Sequence, residues 1–207
     1  MNNKYNKIGI MGGTFNPPHL GHLILARIAV ERLCLDKVIF IPTGKILYKD
    51  NSEIASARDR LAMTDIAIEG NPKFDVSDIE ISDSGTTYTY KTLGKLREIY
   101  ANGHFYFIVG ADSLDYMDKW REPEKIFERC SVVALSRTGY EDTKCEEKAD
   151  ELRKRYNADI IFLSMPTVDI SSTEIRKRIR CGMDVESLLP EGVERYIKLN
   201  NLYTTEK

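Results

Sequence analysis

The chain has 207 residues, 42% hydrophobic and 30% charged, a composition that supports a sizeable core without disulfide or metal staples. Thirty Lys and Arg against 32 Asp and Glu leave a net charge of -2, so bulk electrostatics exclude a polyanion such as nucleic acid as the expected partner. Any bound anion must be met locally. The length predicts one domain over 1–207. Cys34, Cys130, Cys145 and Cys181 form no C-x-x-C pair and no zinc spacing, which predicts free thiols in a reducing compartment. The polar start, Met1 to Lys7, has no apolar core of a signal peptide, and no apolar run approaches the roughly 20 residues of a membrane span. A cytoplasmic protein with no membrane partner is expected.

In chain order, apolar runs alternate with amphipathic stretches, the pattern of strands joined by crossover helices. Lys7 to Met11 is a short strand ending in glycines, and Leu20 to Leu35 carries a helical stripe of Leu23, Ala26, Val30 and Leu33. Lys37 to Ile41 is continuously apolar after its first residue, which predicts a strand buried on both faces. Ser56 and Asp59 form a capping box for a helix with Ala57, Leu61, Thr64 and Ile68 on one face. Phe74 to Ile81 alternates like a strand, and Tyr88 to Tyr100 reads as a helix through Leu93, Leu96 and Ile99.

His104 to Val109 and Ser131 to Leu135 are further strands, with a short helical region around Trp120 between them. The acidic stretch Glu141 to Glu151 reads as a solvated helix face, Ile160 to Leu163 is the last strand, and two helices close the chain. The fold class is α/β: a doubly wound, mostly parallel sheet of Rossmann-like type with a helical C-terminal tail. In such sheets ligands bind beyond the carboxyl ends of the strands, which points to the loops after Ile10, Ile41, Val109 and Leu163.

The loop after the first strand reads GGTFNPPHLGH, Gly12 to His22. It is neither a dinucleotide fingerprint nor a Walker loop: the glycine run lacks G-x-G-x-x-G, and Gly44-Lys45 is followed by Ile46. Two of the three histidines, His19 and His22, stand three apart where loop becomes helix, so both imidazoles can face the positive end of the helix dipole. That arrangement suits a phosphate. A zinc pair and a purely structural pair are the alternatives, although no cysteine or further histidine cluster supplies more ligands.

At the other end of the chain, Asp169 to Arg180 reads DISSTEIRKRIR. Ser171 followed by Glu174 is a capping box, Ser172 and Thr173 offer hydroxyls in the first turn, and Arg176 stands about one turn on, within reach of a phosphate. A capped basic surface helix is the plain alternative. The near-neutral total is an average: from Ser171 to Arg180, Arg176, Lys177, Arg178 and Arg180 oppose only Glu174, while 141–151 carries the acidic excess.

Together the GGTFNPPHLGH and ISSTEIR segments resemble the paired signatures of the nucleotidyltransferase superfamily with the (H/T)-x-G-H motif. The layout of the whole chain is similar to the bacterial nicotinate mononucleotide adenylyltransferases, supported by Thr87-Tyr88-Thr89, Gly110-Ala-Asp112, Lys119-Trp120 and Ser136-Arg137, in the order that family shows. The resemblance implies transfer of the adenylyl group from ATP to nicotinate mononucleotide, with Mg²⁺ assisting and no enzyme nucleophile. It implies catalytic roles for His19, His22 and Arg176 on the phosphates. ATP would also be met by Gly12, Gly13, Thr14, Phe15, Gly110, Asp112, Ser171, Ser172 and Thr173.

For the acceptor, the resemblance implies stacking of the pyridine ring on Trp120, its carboxylate against the backbone at Thr87 and Tyr88, and phosphate contacts from Lys49 and Arg137. The charged neighbours of Trp120 argue against its deep burial. No protein-held metal site is expected. The alternatives are a related adenylyltransferase acting on nicotinamide mononucleotide or phosphopantetheine, and a non-catalytic nucleotide-binding module. A homo-oligomer stays open.

Overall fold

The most apolar run of the chain, KVIFIP, is also its most completely covered strand: every residue from Lys37 to Pro42 is buried, as continuous apolarity predicts for an inner parallel strand. The computed structural model describes residues 5–45, 53–83, 85–137, 143–166 and 169–204. In chain order the elements are β1 (Lys7–Gly13), α1 (Leu20–Leu33), β2 (Lys37–Pro42), α2 (Ala57–Ile68), β3 (Phe74–Val76), α3 (Thr89–Ile99) and β4 (His104–Gly110). A 3-10 turn (Ala111–Ser113), α4 (Leu114–Met117), α5 (Pro123–Arg129), β5 (Cys130–Arg137), α6 (Thr143–Tyr156), β6 (Ile160–Met165), α7 (Ser172–Arg180) and α8 (Glu191–Leu199) follow.

The six strands form one sheet in the order β3-β2-β1-β4-β5-β6. Register is parallel, with Lys7 opposite His104, Phe105 opposite Cys130 and Val132 opposite Ile160. The order reverses between β1 and β4, the topological switch of a doubly wound fold. Among the described residues no helix is long and apolar enough to cross a membrane.

The chain forms two compact units. The first comprises Met1–Met11, Leu25–Ile39 and Thr87–Thr167. Its core is aliphatic and aromatic, with Ile8, Leu35, Val38, Leu93, Phe105 and Val132 fully covered. The amino ends of its strands are tied by side chains: Ser131 Oγ donates to the Asp159 carboxylate and accepts from His104 Nε2 at 2.7 Å. The third histidine is thus structural. On α6 the acidic face is exposed as expected, while Cys145, Ala149 and Leu152 are buried.

The second unit comprises Gly12–Ile24, Phe40–Thr86 and Val168–Lys207. Met63 and Ala67 of α2 meet Ile175 of α7, Val193 and Ile197 of α8, and Val185 and Leu189 between the last two helices. Gly192 brings the start of α8 close to α2: a Cβ there would fall 2.5 Å from Ile66 Cγ2. The C-terminal tail is helical, and it supplies half of a core.

Local expectations fail in three places. Phe74 to Ile81 continues as a strand only to Val76: Ser77 N–H still reaches Phe40 O of β2, and the Ile81 and Ser82 amides then turn back to Asp78 O. On α2 the buried face runs through Arg60, Met63, Thr64, Ala67 and Ile68, so Ala57 and Leu61 are only half-covered. Trp120 lies in the turn between α4 and α5, its N–H on Met117 O, and not on a helix.

Ile175 is fully buried where α7 joins the second core, and truncation there leaves a cavity among Met63, Val185, Leu189 and Val193. Ile175→Ala should lower the unfolding free energy by about 2–5 kcal/mol, measured by urea denaturation; a loss below 1 kcal/mol would contradict this packing.

Candidate active site

Two glycines end β1, and the chain then has to turn without the sheet's hydrogen bonds. The turn is pinned from below: Thr43, just past β2, donates both its N–H (2.8 Å) and its Oγ1 (3.1 Å) to Gly13 O. Gly12 is exposed at the strand end. Phe15 takes a left-handed backbone, φ +49°, uncommon for an aromatic residue. The ring meets His22 edge-on at 5.0 Å and Phe40 at 5.9 Å, and it is 2% exposed.

His19 stands immediately before α1, and its carbonyl accepts the His22 N–H at 2.9 Å. The His19 backbone N–H in turn donates to His22 Nδ1 at 3.2 Å. Because Nδ1 accepts, a neutral His22 must carry its proton on Nε2, which makes that edge a donor. The two rings lie 3.8 Å apart at 33°. Burial pushes His19 down to about 4, and burial with the neighbouring His19 holds His22 well below the ordinary histidine range. Both are therefore neutral at pH 7.

The capping box on α7 forms as read: Ser171 Oγ accepts the Glu174 N–H at 3.2 Å. Ser172 Oγ donates to Pro17 O at 2.9 Å, and Arg176 Nη1 donates to Asn16 O at 3.0 Å. These bonds join the two motifs across more than 150 residues of sequence. Thr173 is exposed in the first turn. Arg176 Nη2 lies 3.6 Å from Glu53 Oε2, and Arg180 pairs with the other oxygen of that carboxylate at 2.6 Å. Two buried atoms of this cluster, Arg176 Nε and His19 Nδ1, have no hydrogen-bond partner among the described residues. A buried guanidinium N–H without an acceptor is costly, and an anionic oxygen would supply one.

Gly110, Asp112, Trp120, Thr87, Tyr88 and Arg137 lie in the first unit. Gly110 ends β4 beside Asp112, whose Oδ1 would fall 2.5 Å from any Cβ at position 110, so glycine lets that carboxylate fold back over the strand end. Asp112 is exposed in the 3-10 turn. Trp120 is half-buried, edge-on to Phe107 at 6.0 Å. Thr87 and Tyr88 lead into α3, and Tyr88 at its N-cap makes no side-chain capping bond, which leaves first-turn amides without that partner. Arg137 ends β5. Lys49 lies outside the described residues.

A model of the cytidylyltransferase-like family matches residues 10–178. The probable nicotinate-nucleotide adenylyltransferase of Dehalococcoides mccartyi is 46% identical over 198 residues, covering 95% of this chain and 97% of that one. The chain belongs to this family of nucleotidyltransferases. A second relative of the same name, from Lachnoclostridium phytofermentans, is 41% identical over 197 residues, 95% of this chain and 98% of that one. The fold is that of Plasmodium falciparum nicotinic acid mononucleotide adenylyltransferase, solved with NaAD: TM-score 0.76 at 23% identity, over 96% of this chain and 98% of that one.

Sequence reading assigns no role to Asn16, although it lies inside the quoted motif, nor to Glu53, Arg60 or Asp118. Asp118 Oδ2 pairs with Lys148 at 2.9 Å, and its Oδ1 is buried without a hydrogen-bond partner among the described residues. No group of three or more His, Cys, Asp or Glu among the described residues stands together to hold a metal.

The depressed His19 value has a stability consequence. Between pH 6.5 and about 4 the unfolded chain accepts a proton at His19 that the native chain refuses. Its contribution is therefore present above pH 6.5 and is lost as pH falls through this window, by up to about 3 kcal/mol. Denaturant unfolding of wild type and His19→Asn from pH 7 to 4 should show the gap between them shrinking by that amount; a constant gap would mean that His19 is not held neutral.

Proposed function

We propose that this chain transfers the adenylyl group of ATP to nicotinate mononucleotide, releasing pyrophosphate and forming nicotinate adenine dinucleotide. The observation that carries the reading is the pair of unsatisfied buried atoms, Arg176 Nε and His19 Nδ1, on the two motifs that α7 ties together. Such a cluster is equipped for phosphate oxygens. The names of the relatives at 41–46% identity support the acceptor.

An oxygen of the mononucleotide phosphate would attack the α-phosphorus of ATP, and the bond to the bridging oxygen of the leaving pyrophosphate would break with its electron pair on that oxygen. No protein nucleophile is required. The chain's part is positioning and charge stabilisation. We assign the His22 Nε2–H as a neutral donor to the reacting phosphate and Arg176 as the fixed cation for the leaving pyrophosphate. Ser171 and Thr173 would add the dipole and hydroxyls of the α7 start, and Gly12, Gly13, Thr14 and Phe15 the backbone approach. Ser172 acts instead through Pro17, which its hydroxyl holds. The described residues do not fit a protein-built metal cage, so the expected Mg²⁺ would ride on the triphosphate and neutralise part of its charge there.

For the acceptor we assign Trp120 as the face for the pyridine ring, and the uncapped start of α3 at Thr87 and Tyr88 as the donor set for its carboxylate. A helix start without a side-chain cap favours an anion over a neutral amide, which supports nicotinate over nicotinamide. Gly110 and Asp112 are assigned to the adenosine, and Lys49 and Arg137 to the acceptor phosphate. We read both units, which share residues of β1 and β2, as one nucleotidyltransferase domain over 1–207. Four free thiols support a cytoplasmic location, and the net charge of -2 supports small phosphate ligands and no nucleic acid.

Pyrophosphate release from ATP and Mg²⁺ with each mononucleotide tests the activity. Nicotinate mononucleotide should be turned over and nicotinamide mononucleotide should lag; silence with both sinks the assignment. His22→Ala should lower kcat by about 100-fold or more while ATP affinity changes only a few-fold. Trp120→Ala should raise the KM of the acceptor and spare that of ATP, and unchanged acceptor kinetics would remove the stacking role.

A further inference from the structure

The loop that carries His19 is held from beneath by two residues outside both motifs. Arg60 of α2, 2% exposed, spreads its guanidinium over four backbone carbonyls: Nε on Ala55 O (3.2 Å), Nη1 on Thr14 O (2.8 Å), and Nη2 on Thr43 O (2.6 Å) and Gly44 O (3.2 Å). The Thr14 carbonyl belongs to the loop after β1, and the other three to the segments that flank it. In a trans peptide the C=O and the following N–H point opposite ways. Drawing Thr14 O down onto Arg60 therefore turns the Phe15 N–H away from Arg60.

The second residue comes from the end of the chain. Helix α8 closes with a Schellman turn: Asn201 takes φ +50°, Leu202 N–H bonds Ile197 O at 3.1 Å and Asn201 N–H bonds Lys198 O at 3.4 Å. Leu202 folds back on the second core, and Tyr203, itself at φ +64°, presents its phenol to Asn16 Oδ1 at 2.7 Å. A tyrosine in left-handed backbone is a strained choice that its surroundings must impose. Asn16 is then engaged through its side-chain oxygen, its side-chain nitrogen and its backbone carbonyl. Its Oδ1 also takes the Ala55 N–H at 3.0 Å, its Nδ2 donates to Glu53 O at 3.0 Å, and its carbonyl receives Arg176 Nη1. Burial pushes the Tyr203 phenol up, which keeps it a donor.

We propose, on the adenylyl-transfer reading above, that Arg60 and Tyr203 are positioning residues for that reaction: they fix Thr14 and Asn16, and through Asn16 the seat of the Arg176 guanidinium. Ala55 closes the circuit, its N–H on Asn16 and its carbonyl on Arg60. Neither residue is required to touch a nucleotide.

Tyr203→Phe removes one hydroxyl and keeps the packing, so its melting temperature should stay close to wild type while kcat falls about tenfold and the acceptor KM holds. Arg60→Lys keeps the charge but not the fork, and should lower kcat at least as much. The deciding measurement is a double-mutant cycle. If Tyr203 acts through Asn16, Tyr203→Phe in an Asn16→Ala background should cost nothing further in kcat. Full kcat in Tyr203→Phe, or losses that simply multiply in the cycle, would overturn the proposal. A wild-type enzyme inactive on both mononucleotides would overturn the activity reading instead. The clamp would then be judged on ATP affinity by calorimetry, which Tyr203→Phe should weaken and which an unchanged affinity would refute.

Discussion

The hydrogen bonds from the start of α7 to the loop after β1 are the constraint on which the candidate site depends. Ser172 and Arg176 give donors to the carbonyls of Pro17 and Asn16, two positions that no sheet or helix ladder satisfies. A buried carbonyl without a partner is costly, so the loop and the helix hold one another in place. The guanidinium is divided by this arrangement. One nitrogen serves the main chain, one shares a carboxylate with Arg180, and one is left buried without an acceptor. That last donor is the one the proposed function assigns to a phosphate oxygen.

The histidines follow the same economy. Two imidazoles 3.8 Å apart cannot both be cations at low cost, and burial removes the water that would screen them. They remain neutral, oriented by the bond from His19 N–H to His22 Nδ1. A neutral N–H fixed in a dry site can stabilise charge that develops on a phosphate without holding charge beforehand. Permanent positive charge comes from Arg176, and from Arg60 lower in the same unit, where carbonyl dipoles surround the guanidinium. Both motifs, both arginines and the C-terminal tyrosine belong to the second unit. The residues assigned to the acceptor belong to the first, apart from Lys49.

Much of this was legible along the chain. β2 was readable because its apolar run is unbroken, and the Ser56 and Ser171 caps because capping is a local interaction. Illegibility also had causes. Phe74 to Ile81 alternates, but its last residues turn where the Ile81 and Ser82 amides bond Asp78 O, a local competition that side-chain alternation does not record. Arg60 was unreadable because an arginine on an amphipathic helix ordinarily faces water, and only four distant carbonyls make burial tolerable. Tyr203 had no signal at all, since its role depends on a turn three residues after α8 and on an asparagine 187 residues away.

Local chemistry by itself therefore determined the element types, the doubly wound class and the two motifs at which the site is proposed, since periodicity, caps and motif spacing act over a few residues. Tertiary structure decided which donors remain free. Arg176 gives one nitrogen to Asn16 and holds Nε without a partner among the described residues, Ser172 is committed to Pro17, and a neutral His22 carries its proton on Nε2 because the His19 N–H occupies Nδ1. Each of these is a competition among partners brought together by folding, and a linear pattern does not contain the competitors.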